Sequence, residues 1–178
     1  MINAPSQIRP ATDADLDALH ALVEQAYRGD SARRGWSHEA DILGGQRTDR
    51  ESLAATLHDP RQLLFVMVRD GAMIASVTVT IKSCRLAYLG MLAVDPTLQA
   101  AGIGRALLAE AEAIARDQMG IATIEMTVIA SRAELVAWYQ RRGYALTGER
   151  RPFPATDPRF GLPKRNDLEF VVLAKSLA

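Results

Sequence analysis

Apolar positions along the chain change period several times, and each change marks an element. Leu16, Leu19, Val23, Ala26 and Tyr27 recur at helical spacing, which predicts a helix over about 13–28. Gln7, Ile8 and Arg9 read as a short strand before it, and Thr12 with Asp15 resembles a capping box, Asp standing where Glu or Gln is usual. A second helical stretch covers 51–57 and stops before Asp59-Pro60. The runs 63–69 and 72–81 flank Asp70-Gly71, a hairpin turn pair. Val77, Thr78, Val79, Thr80 and Ile81 are strong strand formers. A turn near Lys82-Ser83-Cys84 leads into a strand over 86–94, which ends at Asp95-Pro96.

The period then returns to that of a helix. Ile103, Leu107, Ala111 and Ile114 share one face of a segment running from about Gly102 to Asp117. A β-branched strand follows over 121–129. Ser131 is placed to cap a further helix that ends at Gly143. Strands over 144–150 and 167–173 close the chain, separated by a loop containing Pro152, Pro154, Pro158 and Pro163. The order β-α-α-β-β-β-α-β-α-β-β predicts a mixed α/β fold. Its mostly antiparallel sheet has about seven strands and is flanked by about four helices. The whole of 1–178 reads as a single domain, with no repeat and no linker.

Composition narrows the function classes. The chain has 178 residues, 48% of them hydrophobic, and Lys+Arg equals Asp+Glu at 21 each. A domain that binds nucleic acid through phosphates usually carries a basic excess, and none is present. One cysteine, Cys84, excludes an intrachain disulfide and a Cys-rich zinc site. It is read as a small packed side chain. The three histidines do not cluster, so no metal site is expected. No apolar run reaches the length of a membrane span, and the expected location is the cytoplasm. The oligomeric state is open, a homodimer included.

The stretch richest in chemistry is Gln99-Ala100-Ala101-Gly102-Ile103-Gly104-Arg105, between a strand and an amphipathic helix. Two glycines let a ligand approach the backbone, and the free N–H groups of a helix start favour an anion there. Three readings fit two glycines: a dinucleotide-binding turn, a P-loop and a ligand-free helix entry. The third fingerprint glycine is replaced by Leu107, and no Gly-Lys-Ser/Thr follows.

Three elements in order carry a resemblance. Gln99-x-x-Gly102-x-Gly104, the preceding Leu92-Ala93-Val94-Asp95-Pro96, and Trp138-Tyr139-Gln140-Arg141-Arg142-Gly143-Tyr144 resemble the motifs of the GCN5-related N-acetyltransferases. The resemblance is good over 86–150 and looser elsewhere. It implies acetyl-CoA as co-substrate, held by the backbone of Leu92, Ala93 and Val94 and by the loop Gln99, Ala100, Ala101, Gly102, Ile103, Gly104 and Arg105. It also implies direct transfer to a primary amine without an acyl-enzyme, and Tyr139 as the acid that protonates the departing thiolate. Spacing alone would leave Tyr139 as a core aromatic beside Leu135.

Arg132 stands where the family often has Asn, and either contacts CoA phosphates or faces solvent. Glu125 lies on the neighbouring strand with no direction assigned to its side chain. The segment 27–47 is expected to line the acceptor site. Trp36 and His38 are candidates to bind the acceptor, and Glu39 to hold or deprotonate its amine. Phe153 and Phe160 are placed to close the other side. An aromatic wall with acids would suit a small cationic amine. A protein or peptide acceptor, and a non-catalytic acyl-CoA sensor, are the alternatives.

Overall fold

A computed structural model describes residues 6–99, 101–157 and 161–177. Ala100, Pro158, Arg159 and Phe160 fall outside the described residues, so the expectations for Ala100 and Phe160 are not met by any observation. Seven strands form one sheet: β1 (Gln7–Pro10), β3 (Gln62–Arg69), β4 (Ala72–Ile81), β5 (Leu86–Val94), β6 (Thr123–Ile129), β7 (Ala145–Pro152) and β9 (Glu169–Ser176). Their spatial order is β1-β3-β4-β5-β6-β9-β7. Every neighbouring pair is antiparallel except β5 and β6. The helices are α1 (Leu16–Tyr27), α2 (Gly29–Ala32), α3 (Arg50–His58), α4 (Ile103–Asp117) and α5 (Ala133–Gln140), with a short 3-10 turn over Asp13–Asp15.

The period of two in β3 sorts the helices onto two faces. Leu64 and Val66 pack with Leu19 and Val23 of α1 and Leu53 of α3. Phe65 and Met67 point the other way, toward Leu107 and Ala111 of α4 and Tyr139 of α5. α1 forms as its apolar stripe predicts, burying Leu16, Leu19, Leu22, Val23 and Ala26. Its entry is fixed by Asp15, whose carboxylate accepts from the Thr12 N–H and from both Arg9 guanidinium nitrogens.

The segment 29–46 reads from the sequence as loop plus a short helix, and it holds the four-residue α2. Three details differ from the sequence reading. A two-stranded ribbon pairs β2 (Leu43–Gly44) with β8 (Leu162–Pro163), which no local pattern announces because each strand is two residues long. The cap of α5 is Arg132 and not Ser131. Cys84 is exposed in the β4–β5 turn, because a two-strand corner at the sheet end has no layer above it to pack against.

The feature that creates the site is a fault in the sheet. β5 and β6 pair only over Leu86–Tyr88 and Thr123–Glu125. Farther along β5 the register with β4 slips between Ser76 and Thr78, so that Ser76 faces Ala93 but Thr78 faces Gly90. Met91 takes a left-handed φ of 46° at this bulge. Such a backbone is costly for a residue with a side chain and persists only where its surroundings impose it. The bulge re-aims the end of β5 away from β6.

Candidate active site

The gap between β5 and β6 opens into a cavity of about 1300 Å³. One wall is the start of α4 with the end of β5. Gly102 caps that helix in the left-handed conformation, φ 79°, a geometry in which glycine avoids the Cβ clash. The first intrahelical bond runs from Ala106 N–H to Gly102 O. The N–H groups of Ile103, Gly104 and Arg105 precede that bond and are the helix's free donors. A Cβ on Gly104 would sit 3.4 Å from Val94 Cγ2 and 3.7 Å from Trp138 Cζ2, so the hydrogen there keeps open a narrow slot beside those donors.

Leu92, Val94, Gln99, Ala101, Gly102, Ile103, Gly104 and Arg105 all line the cavity. The side chain of Ala93 packs with α1 instead. Two expected cofactor contacts have other work. Gln99 accepts from the Trp36 N–H at 2.9 Å and donates to Ser37 Oγ at 3.0 Å. Arg132 donates to Glu39 Oε1 at 3.0 Å and to the Ser37 carbonyl. Sequence reasoning passed over Arg142. Its guanidinium stacks 3.5 Å over the Trp138 ring, and its Nε is buried without an acceptor. Burial, with Arg141 and Arg105 nearby, lowers its pKa. A cation so placed gains from a nearby anion. The slot, the free helix donors and the orphaned Arg142 Nε together fit an extended ligand carrying phosphates.

Tyr139 also lines the cavity, with its ring edge-on to Trp138 and Tyr144 at centroid distances of 4.9 and 5.6 Å. No described residue hydrogen-bonds its hydroxyl. Burial raises its pKa well above the ordinary phenol value, so it stays protonated at neutral pH. Beneath it, the Tyr144 hydroxyl donates to Glu112 of α4 at 2.8 Å.

The acceptor side departs most from the sequence reading. Glu39 lies at the centre of a buried triad, accepting from Arg28 at 2.5 Å and from Arg132 at 3.0 Å. Burial pushes its carboxyl up, but Arg132, Arg47 and Arg28 outweigh burial and the net direction is down. A carboxylate held ionised by two guanidiniums is a poor proton acceptor. Trp36 lines the cavity against Trp138, with ring centroids 6.3 Å apart. His38 is not among the lining residues; it faces Asp41 at 3.8 Å. Glu125 points to Arg151, away from this wall. Phe153 lines the cavity, packed on Phe170 at 5.3 Å.

Four hydroxyls on the floor were not foreseen as a group: Thr78, Thr80, Tyr88 and Thr127. Tyr88 and Thr127 share a hydrogen bond of 2.7 Å across the strand gap. Threonines at alternate positions of an otherwise apolar strand were the available signal.

The model of the acetyltransferase (GNAT) family matches residues 17–144, well over half of the chain. The chain belongs to that family. Its mixed fold, its class as an acyltransferase and acetyl-CoA as the family's co-substrate follow, as the glycine motif implied. The ribosomal protein bS18-alanine N-acetyltransferase of Escherichia coli K12 is 36% identical over 110 residues, 61% of this chain and 73% of that enzyme. Mycothiol acetyltransferase of Salinispora tropica is 40% identical over 63 residues, 35% of this chain and only 20% of its own length. The fold is shared with yncA from Salmonella typhimurium, solved with its cofactor acetyl-CoA. That structure has a TM-score of 0.73 at 16% identity, covering 98% of this chain and 95% of the other.

Proposed function

We propose that the protein moves an acetyl group from acetyl-CoA directly to a primary amine of a small molecule. The observation that carries this is the slot at Gly104, beside free helix N–H groups and in the same cavity as Tyr139. The N–H groups of Ile103 to Arg105, with Arg105 and Arg142, hold the phosphates. The end of β5 at Leu92 and Val94 carries the arm along the strand edge. Acetyl-CoA supplies an activated acyl group with a good leaving thiolate. Tyr139 hands its proton to that thiolate. A backbone N–H at the bulge adds oxyanion-type stabilisation to the carbonyl under attack.

The small-molecule reading rests on the ribbon that borders the cavity. The β2–β8 ribbon ties the segment after α2 to the late proline-rich loop. Lys164 fastens it twice, through its N–H to the Ile42 carbonyl and through Nζ to the Ala40 carbonyl at 2.6 Å. This ribbon borders the cavity at Leu43, and a tied border favours a bounded acceptor pocket over a peptide laid in an open groove. The test is thiol release from acetyl-CoA with small amines and with N-terminal peptides. Transfer confined to peptides would overturn the small-molecule reading, and tight acetyl-CoA binding without transfer to any amine would overturn catalysis.

A further inference from the structure

We infer that the acceptor carries a carboxylate next to its amine, as an α-amino acid does, and that Arg47 binds this carboxylate. The inference rests on the amine-transfer reading above and adds the class of substrate.

Not every charged side chain at the acceptor end of the cavity is matched by an ion pair among the described residues. Glu39 and Asp49 are the carboxylates among the lining residues, and both are engaged. Glu39 bridges Arg28 and Arg132. Asp49 caps α3, accepting from the Ser52 N–H at 2.6 Å. Arg47 also lines the cavity, is half-buried, and among the described residues no carboxylate forms an ion pair with it. It is close enough to feel Glu39, yet that carboxylate is already shared by two guanidiniums. A ligand carboxylate would meet at Arg47 a planar donor fork suited to bidentate binding.

Position supports the same assignment. The Arg47 guanidinium lies 5.2 Å over the centre of the Tyr27 ring. The hydroxyl at the far end of that ring donates to the Leu92 carbonyl at 2.8 Å, at the bulge where the acyl group is expected. Arg47 and the Leu92 carbonyl thus meet the same side chain, one over the ring of Tyr27 and the other at its hydroxyl. Arg47 is also held in place from behind, because its own N–H and that of Thr48 both donate to Glu24 Oε1, at 2.7 and 2.9 Å. An anchored backbone with an unpaired guanidinium facing the cavity is what a preorganised carboxylate site requires. The small cationic amine expected from the sequence depended on Glu39 and Asp41 being free. Glu39 is held as described, and Asp41 faces Arg33 and His38.

The test measures thiol release from acetyl-CoA with matched pairs, L-methionine and L-methioninamide, L-glutamine and L-glutaminamide, alongside spermidine and an N-terminal tetrapeptide. The free acids are expected to exceed their amides in kcat/KM by at least about tenfold. Arg47→Ala should erase that ratio by raising the KM of the acids, leaving the amides and the acetyl-CoA KM unchanged, and Arg47→Lys should restore part of it. Equal rates on acids and amides, or a preference for spermidine or the peptide, would overturn the inference while leaving amine transfer intact. Transfer to no amine at all, with acetyl-CoA binding retained by calorimetry, would remove the amine-transfer reading and this inference with it. Should Arg47→Ala fail to fold, the acid-to-amide ratio of the wild type decides the question alone.

Discussion

On the 92–105 side, the cleft offers main-chain donors, the N–H groups of Ile103, Gly104 and Arg105 at the helix start, beside the strand end at Leu92 and Val94. On the 27–49 side, the cleft offers side chains, and they are held by partners distant in sequence. Glu39 is fixed by Arg132, and Trp36 is held through its N–H by Gln99. A wall made of backbone can be shared across a family with many acceptors, because it recognises what all members bind. A wall made of long-range side-chain contacts can be rebuilt for each acceptor.

That contrast can be broken by substitution, and the largest effect is expected at Tyr139. Tyr139→Phe keeps the packed ring and removes the proton donor, so kcat should fall about 10²–10⁴-fold with acetyl-CoA affinity near normal. Because burial raises the Tyr139 pKa, deprotonation of this acid should produce no fall in kcat below about pH 10. Full kcat in Tyr139→Phe, measured where chemistry limits the rate, would return Tyr139 to the role of a core aromatic.

The acceptor wall should respond through stability first. Glu39→Ala leaves Arg28 and Arg132 buried without their shared carboxylate, a change that typically costs about 3–5 kcal/mol. Chemical denaturation would read it. The Glu39 pKa is lowered on folding, so its stabilisation is complete above the ordinary carboxyl range and is lost as pH falls through the folded value. The acid limb of the stability profile should flatten in Glu39→Ala. A variant as stable as wild type but with a raised acceptor KM would mean that Glu39 serves the substrate directly.

The cofactor wall should respond through affinity with little loss of fold. Gly104→Val fills the slot against Val94 and Trp138, and acetyl-CoA binding should weaken by about 100-fold, ~2.7 kcal/mol. Circular dichroism would confirm the fold, and unchanged affinity by calorimetry would mean the slot is not occupied. The smallest effect is expected at Trp36, which is 42% exposed and packs on Trp138. Such an aromatic pair is worth about 0.5–1.5 kcal/mol, so Trp36→Ala should raise the acetyl-CoA KM by up to about tenfold. A rise in the acceptor KM instead would move Trp36 to the acceptor wall.

The sequence was most legible where function depends on local backbone. The seven strands, the face of α4 and the glycines at 102 and 104 are each set by residues within a turn or two of one another. Propensity, period and φ preference therefore expose them. The Asp70-Gly71 hairpin is local in the same way, with both residues at positive φ. By contrast, at the bulge it is Met91 and not its neighbour Gly90 that takes the left-handed φ, so the glycine does not mark the residue. Its left-handed φ is imposed by β4 on one side and by the departure of β6 on the other.

Side-chain roles that depend on charge pairing were decided by tertiary structure alone. Glu39 and Arg132 are 93 residues apart, Gln99 and Trp36 63 apart, and no local rule says that an acid in an irregular segment will meet an arginine capping a later helix. Residue type fixed which groups could ionise or donate. Only the closed fold fixed which of them neutralise one another and which, like Arg47, are left facing the cavity, because Coulomb energy depends on distance and burial, and neither is a property of sequence position.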